Sequence, residues 1–322
     1  MNEEKIMVSI LCLAYNHEKY IRDALDSFIK QNVNFQYEII INDDCSTDNT
    51  PQIIKEYAEK YPEIIKPIFQ KENQYSKHRR MIIDILMPQA KGKYFAFCEG
   101  DDYWTDINKL QKQFDFMEKN KEYSMCVSNA IIVDNNKNKV GEINTVNDNS
   151  NLTCDDFILG GGEYVATNSI FSRMEYIKQL PTYFNDFSID YLWQIFLSSI
   201  GKTYCFKDQM CAYRINTGLS WTDKIISDES KNISINKKIV DKLKEVNEYT
   251  NKKYNDSINK KIIELEFNIF YLENNFEMMK KEPYLSYKKG LPKNKKIKIL
   301  LKEKLPFIFK IIKKEKLKIK HR

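Results

Sequence analysis

Five carboxylates in two short segments are placed to act together. Asp43 and Asp44 follow the apolar run Glu38-Ile39-Ile40-Ile41-Asn42, and Glu99, Asp101 and Asp102 follow Phe95-Ala96-Phe97-Cys98. The first cluster, continued by Ser46, Thr47 and Asp48, is also what turns and helix caps are made of. The second is harder to explain that way. It packs three acids into four residues, which repel one another unless a cation relieves them, around a glycine, Gly100, that lets a ligand approach the backbone. Oxygen donors without His or Cys favour Mg²⁺ or Mn²⁺, bridging carboxylates and a diphosphate while keeping several waters. The twelve-residue ligand spacing of a calcium loop is absent.

Acids can cooperate only if the fold brings them to one edge. Met7 to Ala14 has strand length and apolarity, and Glu18 to Lys30 repeats apolar residues at helical spacing, with Asn16 near its N-cap. Tyr37 to Ile41 reads as a strand, Thr50-Pro51 opens a helix to about Tyr61, Lys66 to Phe69 is a strand, Lys77 to Ala90 a helix, and Lys93 to Cys98 a strand. Strands separated by single helices predict an α/β fold with a doubly wound parallel sheet. Ligands of such sheets bind beyond the carboxyl ends of the strands, which singles out Ala14 to His17, Asn42 to Asp48 and Glu99 to Trp104. Further on, Asn108 to Asn120 and Asp186 to Ile200 read as helices. Ser124 to Val133 and Lys202 to Tyr213 read as strands, Asp134 to Asn151 as a hairpin or loop, and Gly160 to Gly162 as a turn. Beyond Ile225 long Lys/Glu/Ile/Asn segments suggest helices to about Met279.

Composition excludes several classes. The 322 residues, 42% hydrophobic, can bury a sizeable core. The apolar run Ile6 to Ala14 is too short and wrongly flanked for a signal peptide, and no stretch approaches a membrane span, so a soluble cytoplasmic chain is expected. Seven scattered cysteines without a Cys-x-x-Cys pair point to reduced, mostly core thiols. Residues 288–322 carry fifteen Lys plus Arg against two Glu, a local +13 within a chain of net +6, so the body is acidic and the tail basic.

Three segments in order, Val8 to Asn16, Glu38 to Asp48 and Lys91 to Asp102, resemble the signatures of glycosyltransferase family 2. The resemblance covers roughly residues 6–221 and is strongest in the first 120. It implies a GT-A fold, a mixed, mainly parallel doubly wound sheet with flanking helices, and inverting transfer of one sugar from a nucleotide-sugar donor with Mn²⁺ or Mg²⁺. Carried over, Ala14, Tyr15 and Asn16 line the nucleotide pocket, Asp44 contacts the base and Asp43 supports the loop. Glu99 and Asp101 stand at the Asp-x-Asp motif, with Asp101 the metal ligand, Glu99 facing the ribose or an outer-shell water, and Gly100 and Asp102 beside them. The family's Glu-Asp pair matches Ile189-Asp190, leaving Asp190 as the base that takes the proton of the acceptor hydroxyl. Tyr213 to Ser220 resembles a family loop with Asn216 where His is common, and from it Arg214 could approach the diphosphate. Lys77, Arg79 and Arg80 lie early in the helix before the Asp-x-Asp strand, where the family often places an arginine.

Trp104, Tyr164 and Trp193 are candidates to stack on a sugar face, while His17 and His78 read as surface residues. A processive synthase is disfavoured by the missing Gln-x-x-Arg-Trp motif. A pyrophosphorylase or dehydrogenase is disfavoured because Leu13-Ala14-Tyr15-Asn16 holds no glycine-rich loop. Replacements at Glu99, Ile189 and Asn216 keep open a non-catalytic nucleotide-sugar-binding protein. The expected organisation is a catalytic domain over 1–224, a helical extension over 225–287 and a basic tail over 288–322. In the tail Ile297, Leu301, Leu305, Ile308 and Ile312 would share one helical face, interrupted at Pro306. A basic amphipathic segment of this kind suits an anionic membrane surface, where a lipid-linked acceptor would be met, ahead of a solvated or protein-docked tail and of nucleic acid.

Overall fold

The computed structural model describes residues 5–77, 80–215, 217, 228–307 and 309. Arg79, His78, Asn216, Ile308 and Ile312, on which some expectations rest, lie outside these. The chain forms two compact units, Met1–Lys224 and Ile225–Arg322.

Among the described residues the first unit carries one mixed sheet. Strand β1 (Ile6–Ala14) pairs in parallel with β2 (Gln36–Asp43) on one side and β4 (Tyr94–Phe97) on the other, and β2 pairs in parallel with β3 (Ile65–Phe69). Being covered on both faces, β1 reads as a continuous apolar run rather than an alternating one. Helix α1 (Ile21–Ile29) turns Ile21, Ala24, Leu25 and Phe28 to the core, and α2 (Thr50–Lys60) opens on Pro51, whose missing N–H costs nothing there. The order β3-β2-β1-β4 means that the chain winds one way from β1 to β3 and then crosses back to β4. The crevice of such a sheet opens where the direction reverses, beyond Ala14 and Phe97.

The sheet continues through β9 (Phe171–Arg173), antiparallel to both β4 and β6 (Tyr123–Val133), and β6 runs parallel to β10 (Lys202–Arg214). Short antiparallel strands β5 (Tyr103–Trp104), β7 (Lys139–Ile143) and β8 (Ser150–Leu152) complete it. Helix α3 (Lys109–Lys119) precedes β6. Helix α4 (Cys154–Gly160) starts on a capping box between Thr153 and Asp156, and α5 (Asp190–Ile200) precedes β10.

Two local expectations are corrected. Asn16 is not near an N-cap, since α1 begins at Ile21; Asn16 instead takes a left-handed conformation, φ 57°, and its side chain accepts from Thr47 N at 2.8 Å. The α-helix read over Lys77 to Ala90 is a π-helical turn, Met81–Leu86, followed by a 3-10 turn, Met87–Gln89. Asp84 accepts from both the backbone N and the guanidinium of Arg80, and Pro88 offers no N–H to continue an α ladder.

The second unit is helical, with helices Glu229–Tyr249, Asn255–Leu272, Tyr284–Gly290 and Lys293–Lys304. Phe267, Met279 and Ile299 form a small core in it. The last helix stops before Pro306, with Leu305 at φ −134°, ψ 59°, as the crowding of a following proline requires. Of the five residues expected to share a face there, Ile297 and Leu305 are 49% and 47% exposed and Ile308 and Ile312 lie outside the described residues, while Ile299 points into the core. No described helix is long and apolar enough to cross a membrane.

Candidate functional site

The ends of β1, β2 and β4 are laced together by backbone and short polar side chains. Asp44 N donates to Ala14 O at 2.9 Å, Asn16 N to Ser46 Oγ at 2.8 Å, and His17 N to Thr50 Oγ1 at 2.8 Å. Gly100 N donates to Leu13 O at 2.8 Å. A Cβ on Gly100 would come within 2.7 Å of Ile21 Cδ1 and 2.9 Å of His17 Nδ1. The glycine therefore lets three loops pack, and its space is taken by side chains rather than left for a ligand.

Burial and partners separate the five acids. Asp44 accepts from Gln74 N at 2.7 Å through Oδ1 and from Tyr75 N at 3.0 Å through Oδ2, so its carboxylate fastens the loop after β3. Asp43 accepts from Ser46 N through Oδ2, whereas its buried Oδ1 has no partner. Burial pushes the Asp43 carboxyl up against the pull of those Ser46 bonds. Between these two, the buried oxygen without a partner belongs to Asp43. Asp102 is buried, with Oδ1 accepting from Arg214 N at 2.8 Å and Oδ2 from Asn168 Nδ2 at 3.0 Å. Desolvation and then the Asp101 charge raise its pKa. Its work is to tie β10 and the Thr167–Ser169 turn to the acidic loop.

Asp101 is the acid with capacity to spare. It is 4% exposed, its Oδ1 has no partner, and Oδ2 lies 3.9 Å from His17 Nε2. His17 Nδ1 is also buried without a partner. The reading of His17 as a surface residue is therefore corrected: it lies against Asp101. Among the described residues no group of three or more His, Cys, Asp or Glu is arranged to hold a metal ion. Mg²⁺ and Mn²⁺ take one or two protein carboxylates and complete their shell with water and substrate phosphate. The orphaned Asp101 Oδ1 is the atom in this loop that fits such a role.

A cleft lies beside this loop, lined by Leu11, Leu13, Ile82, Phe97, Glu99 and Asp190 among others. It joins the end of β4 to the start of α5, ninety residues apart in the chain. Asp190 begins α5, where the helix N-terminus favours a negative charge, and Thr167 Oγ1 donates to its Oδ2 at 2.6 Å. Glu99 faces the same cleft, and its pKa is raised by desolvation first, then by the charges of Asp101 and Asp190. Because the Glu99 side chain is open to the cleft, water there offsets part of the desolvation, and the repulsion from its two neighbours carries the upward direction.

The four candidates for sugar or diphosphate contact differ in what they leave for a ligand. Trp104 is 4% exposed, donates from Nε1 to Asn168 O at 3.0 Å and packs on Phe28, so it offers no sugar a face. Tyr164 is half-buried and packs edge-on against Phe157. Trp193 does line the cleft but is buried among Phe95, Phe97 and Phe184, forming wall rather than platform. The Arg214 side chain is fully buried. Its guanidinium donates to Asp101 O at 2.8 Å, to Asp134 O and Asn135 O at 3.2 and 3.3 Å, and to Asp23 Oδ2 at 2.9 Å, over the rings of Tyr20 and Tyr103. Those bonds spend its donors inside the protein, so Arg214 positions the acidic loop instead of meeting a diphosphate. Thr167, Asn168 and Ile82, none singled out from sequence, are the residues that complete the site.

Sheet order, switch-point crevice and acidic strand ends define a GT-A-type fold. Residues 9–180 match the glycosyl transferase family 2 profile, and the chain belongs to that family. An uncharacterized protein of Mycobacterium tuberculosis is 34% identical over 215 residues, 66% of this chain and 60% of that protein's length. The putative teichuronic acid biosynthesis glycosyltransferase TuaG of Bacillus subtilis is 38% identical over 117 residues, 36% of this chain and 44% of TuaG. Among solved structures, Staphylococcus aureus TarS 1-349 in complex with UDP superposes with a TM-score of 0.58 at 17% identity, covering 90% of this chain and 77% of that one. A Pyrobaculum calidifontis mannosyltransferase in complex with GDP-Man and Mn²⁺ gives 0.54 at 11% identity, covering 94% and 88%. The chain thus spans 60% of the length of its mycobacterial relative, and the two structures share its fold.

Proposed function

We propose that the chain is an inverting glycosyltransferase that moves one sugar from a nucleotide-sugar donor, a UDP-sugar in the first place, to a hydroxyl of a glycan or lipid-linked acceptor in surface polysaccharide or glycoconjugate synthesis. The observation that carries this reading is the convergence of Glu99, from the end of β4, and Asp190, from the start of α5, on one cleft at the switch point. TarS structures in complex with UDP and with UDP-GlcNAc share this fold, which supports a UDP-sugar donor.

In this reading Asp190 accepts the acceptor hydroxyl's proton as that oxygen attacks the anomeric carbon, and a single displacement inverts the configuration. Thr167 donates to one Asp190 oxygen and fixes the carboxylate's orientation, while among the described residues the other oxygen has no partner. Asp101 would hold a divalent cation, with Asp102 and Arg214 keeping its loop in place. A bound Mn²⁺ or Mg²⁺ supplies charge neutralisation for the departing diphosphate. Ala14, Tyr15, Asn16 and Asp43 line the side on which the nucleotide enters, at the ends of β1 and β2.

The test is donor turnover with Mn²⁺, scored as UDP released from a panel of UDP-sugars, for the wild-type chain and for Asp190→Asn. Release by the wild type and loss in the variant, with UDP still bound by both, is expected. Binding without release under any metal or acceptor would assign the chain to non-catalytic nucleotide-sugar binding.

A further inference from the structure

The last described helix of the second unit, Lys293–Lys304, has a surface that its own core does not use. At about 100° per residue, Ile299 lies about 200° around the helix from Ile297 and about 100° from Leu300. Ile299 is 4% exposed and packs with Phe267 and Met279, which fixes the inward direction. Ile297 and Leu300 then face outward together, and beyond the helix end Leu305 and Phe307 are exposed as well, Phe307 by 75%. Water gains nothing from four large apolar side chains held on one short segment.

Cations surround them. The helix holds six lysines against one glutamate, Glu303. Lys302 donates to Tyr271 O at 2.6 Å and Lys296 to Lys289 O at 2.6 Å, while Glu303 is taken by Lys280 and Lys304. No carboxylate pairs with Lys293, Lys295 or Lys298 among the described residues. The outward face therefore carries apolar and cationic side chains side by side, with Lys293 and Lys304 between Leu300 and Ile297 around the helix.

We infer that this face docks the chain on an anionic lipid bilayer, with Ile297, Leu300 and Phe307 entering the interface and the lysines meeting lipid phosphates. The combination decides the partner. Nucleic acid would use the lysines but leave the apolar residues in water, whereas a bilayer surface takes both. The attraction of the lysines to an anionic leaflet falls off within a Debye length, about 8 Å at physiological salt, so added salt weakens it. Docking and sugar transfer are separate properties, so this inference stands or falls without the catalytic reading.

The experiment is vesicle co-sedimentation of the full chain with phosphatidylcholine alone and with 30% phosphatidylglycerol, at low and high salt, for wild type and Ile297→Glu/Leu300→Glu. Both residues are exposed, so the variant should keep its circular dichroism and thermal midpoint. Expected is capture by the anionic vesicles only, weakened at least fivefold in the variant and by high salt. Full recovery in the supernatant with anionic vesicles, equal capture of wild type and a folded variant, or binding to duplex DNA in place of vesicles would overturn it.

Discussion

Arg214 offers the sharpest test of how the acidic loop is held. Replacing it with Met keeps the aliphatic stem and removes the guanidinium, which breaks the pair with Asp23 and strips donors from the carbonyls of Asp101, Asp134 and Asn135. Breaking a buried ion pair costs about 3–5 kcal/mol, and the partial exposure of Asp23 argues for the lower end, about 3 kcal/mol. The three tryptophans, Trp104, Trp193 and Trp221, all precede residue 225, so tryptophan fluorescence in urea follows the first unit. Arg214→Lys keeps the charge but cannot span four acceptors, and it should lose roughly half as much. Under native conditions both variants should bind UDP with Mn²⁺ more weakly than wild type, Met more than Lys, because Asp101 loses the bond that sets its backbone. An Arg214→Met transition within 1 kcal/mol of wild type with unchanged UDP affinity would refute the positioning argument.

Other outcomes follow from the same geometry. Asp190→Asn should lower transfer by about 10²–10⁴ while changing UDP affinity less than threefold, read by steady-state kinetics beside calorimetric titration. The Glu99 carboxyl has a raised folded pKa, so its contribution to stability is present at acid pH and lost as pH rises through the folded value. Glu99→Gln should therefore raise the thermal midpoint of the metal-free chain above about pH 6, by about 1–3 °C after screening in the open cleft, and leave it unchanged near pH 4. An equal shift at both pH values would show that charge is not the cause. Gly100→Ala, whose Cβ meets Ile21 and His17, should cost about 1–3 kcal/mol in urea unfolding, and an unaltered midpoint would show that the loops have room.

Much of the frame was legible because it is written in local patterns. The buried parallel strands are short apolar runs, α1 repeats at helical spacing, and Thr50-Pro51 marks the start of α2. The strand-end acids could be placed at the crevice for the same reason. What side chains do there was not legible, because a residue type does not state its burial. Arg214 and Trp104 look like ligand-facing residues in sequence, yet pairing between β5 and β10 puts both inside. His17 reads as a solitary surface histidine, and only the closeness permitted by Gly100 brings it against Asp101. Thr167 and Asn168 sit in a 3-10 turn with no periodic signal, and their partners lie 23 and 66 residues away. Strands of two or three residues, β5 and β9, are too short to show alternation at all.

In the proposed reading the cleft lined by Glu99 and Asp190, with Asp101 in the adjoining loop, receives a nucleotide diphosphate through a divalent cation. Calorimetric titration of UDP into the full chain with Mn²⁺, with EDTA, and into Asp101→Asn with Mn²⁺ tests it most directly. The account expects saturable binding by the wild type that weakens at least tenfold, about 1.4 kcal/mol, on chelation or substitution. No UDP binding with any divalent cation, or equal affinity in all three titrations, would contradict it.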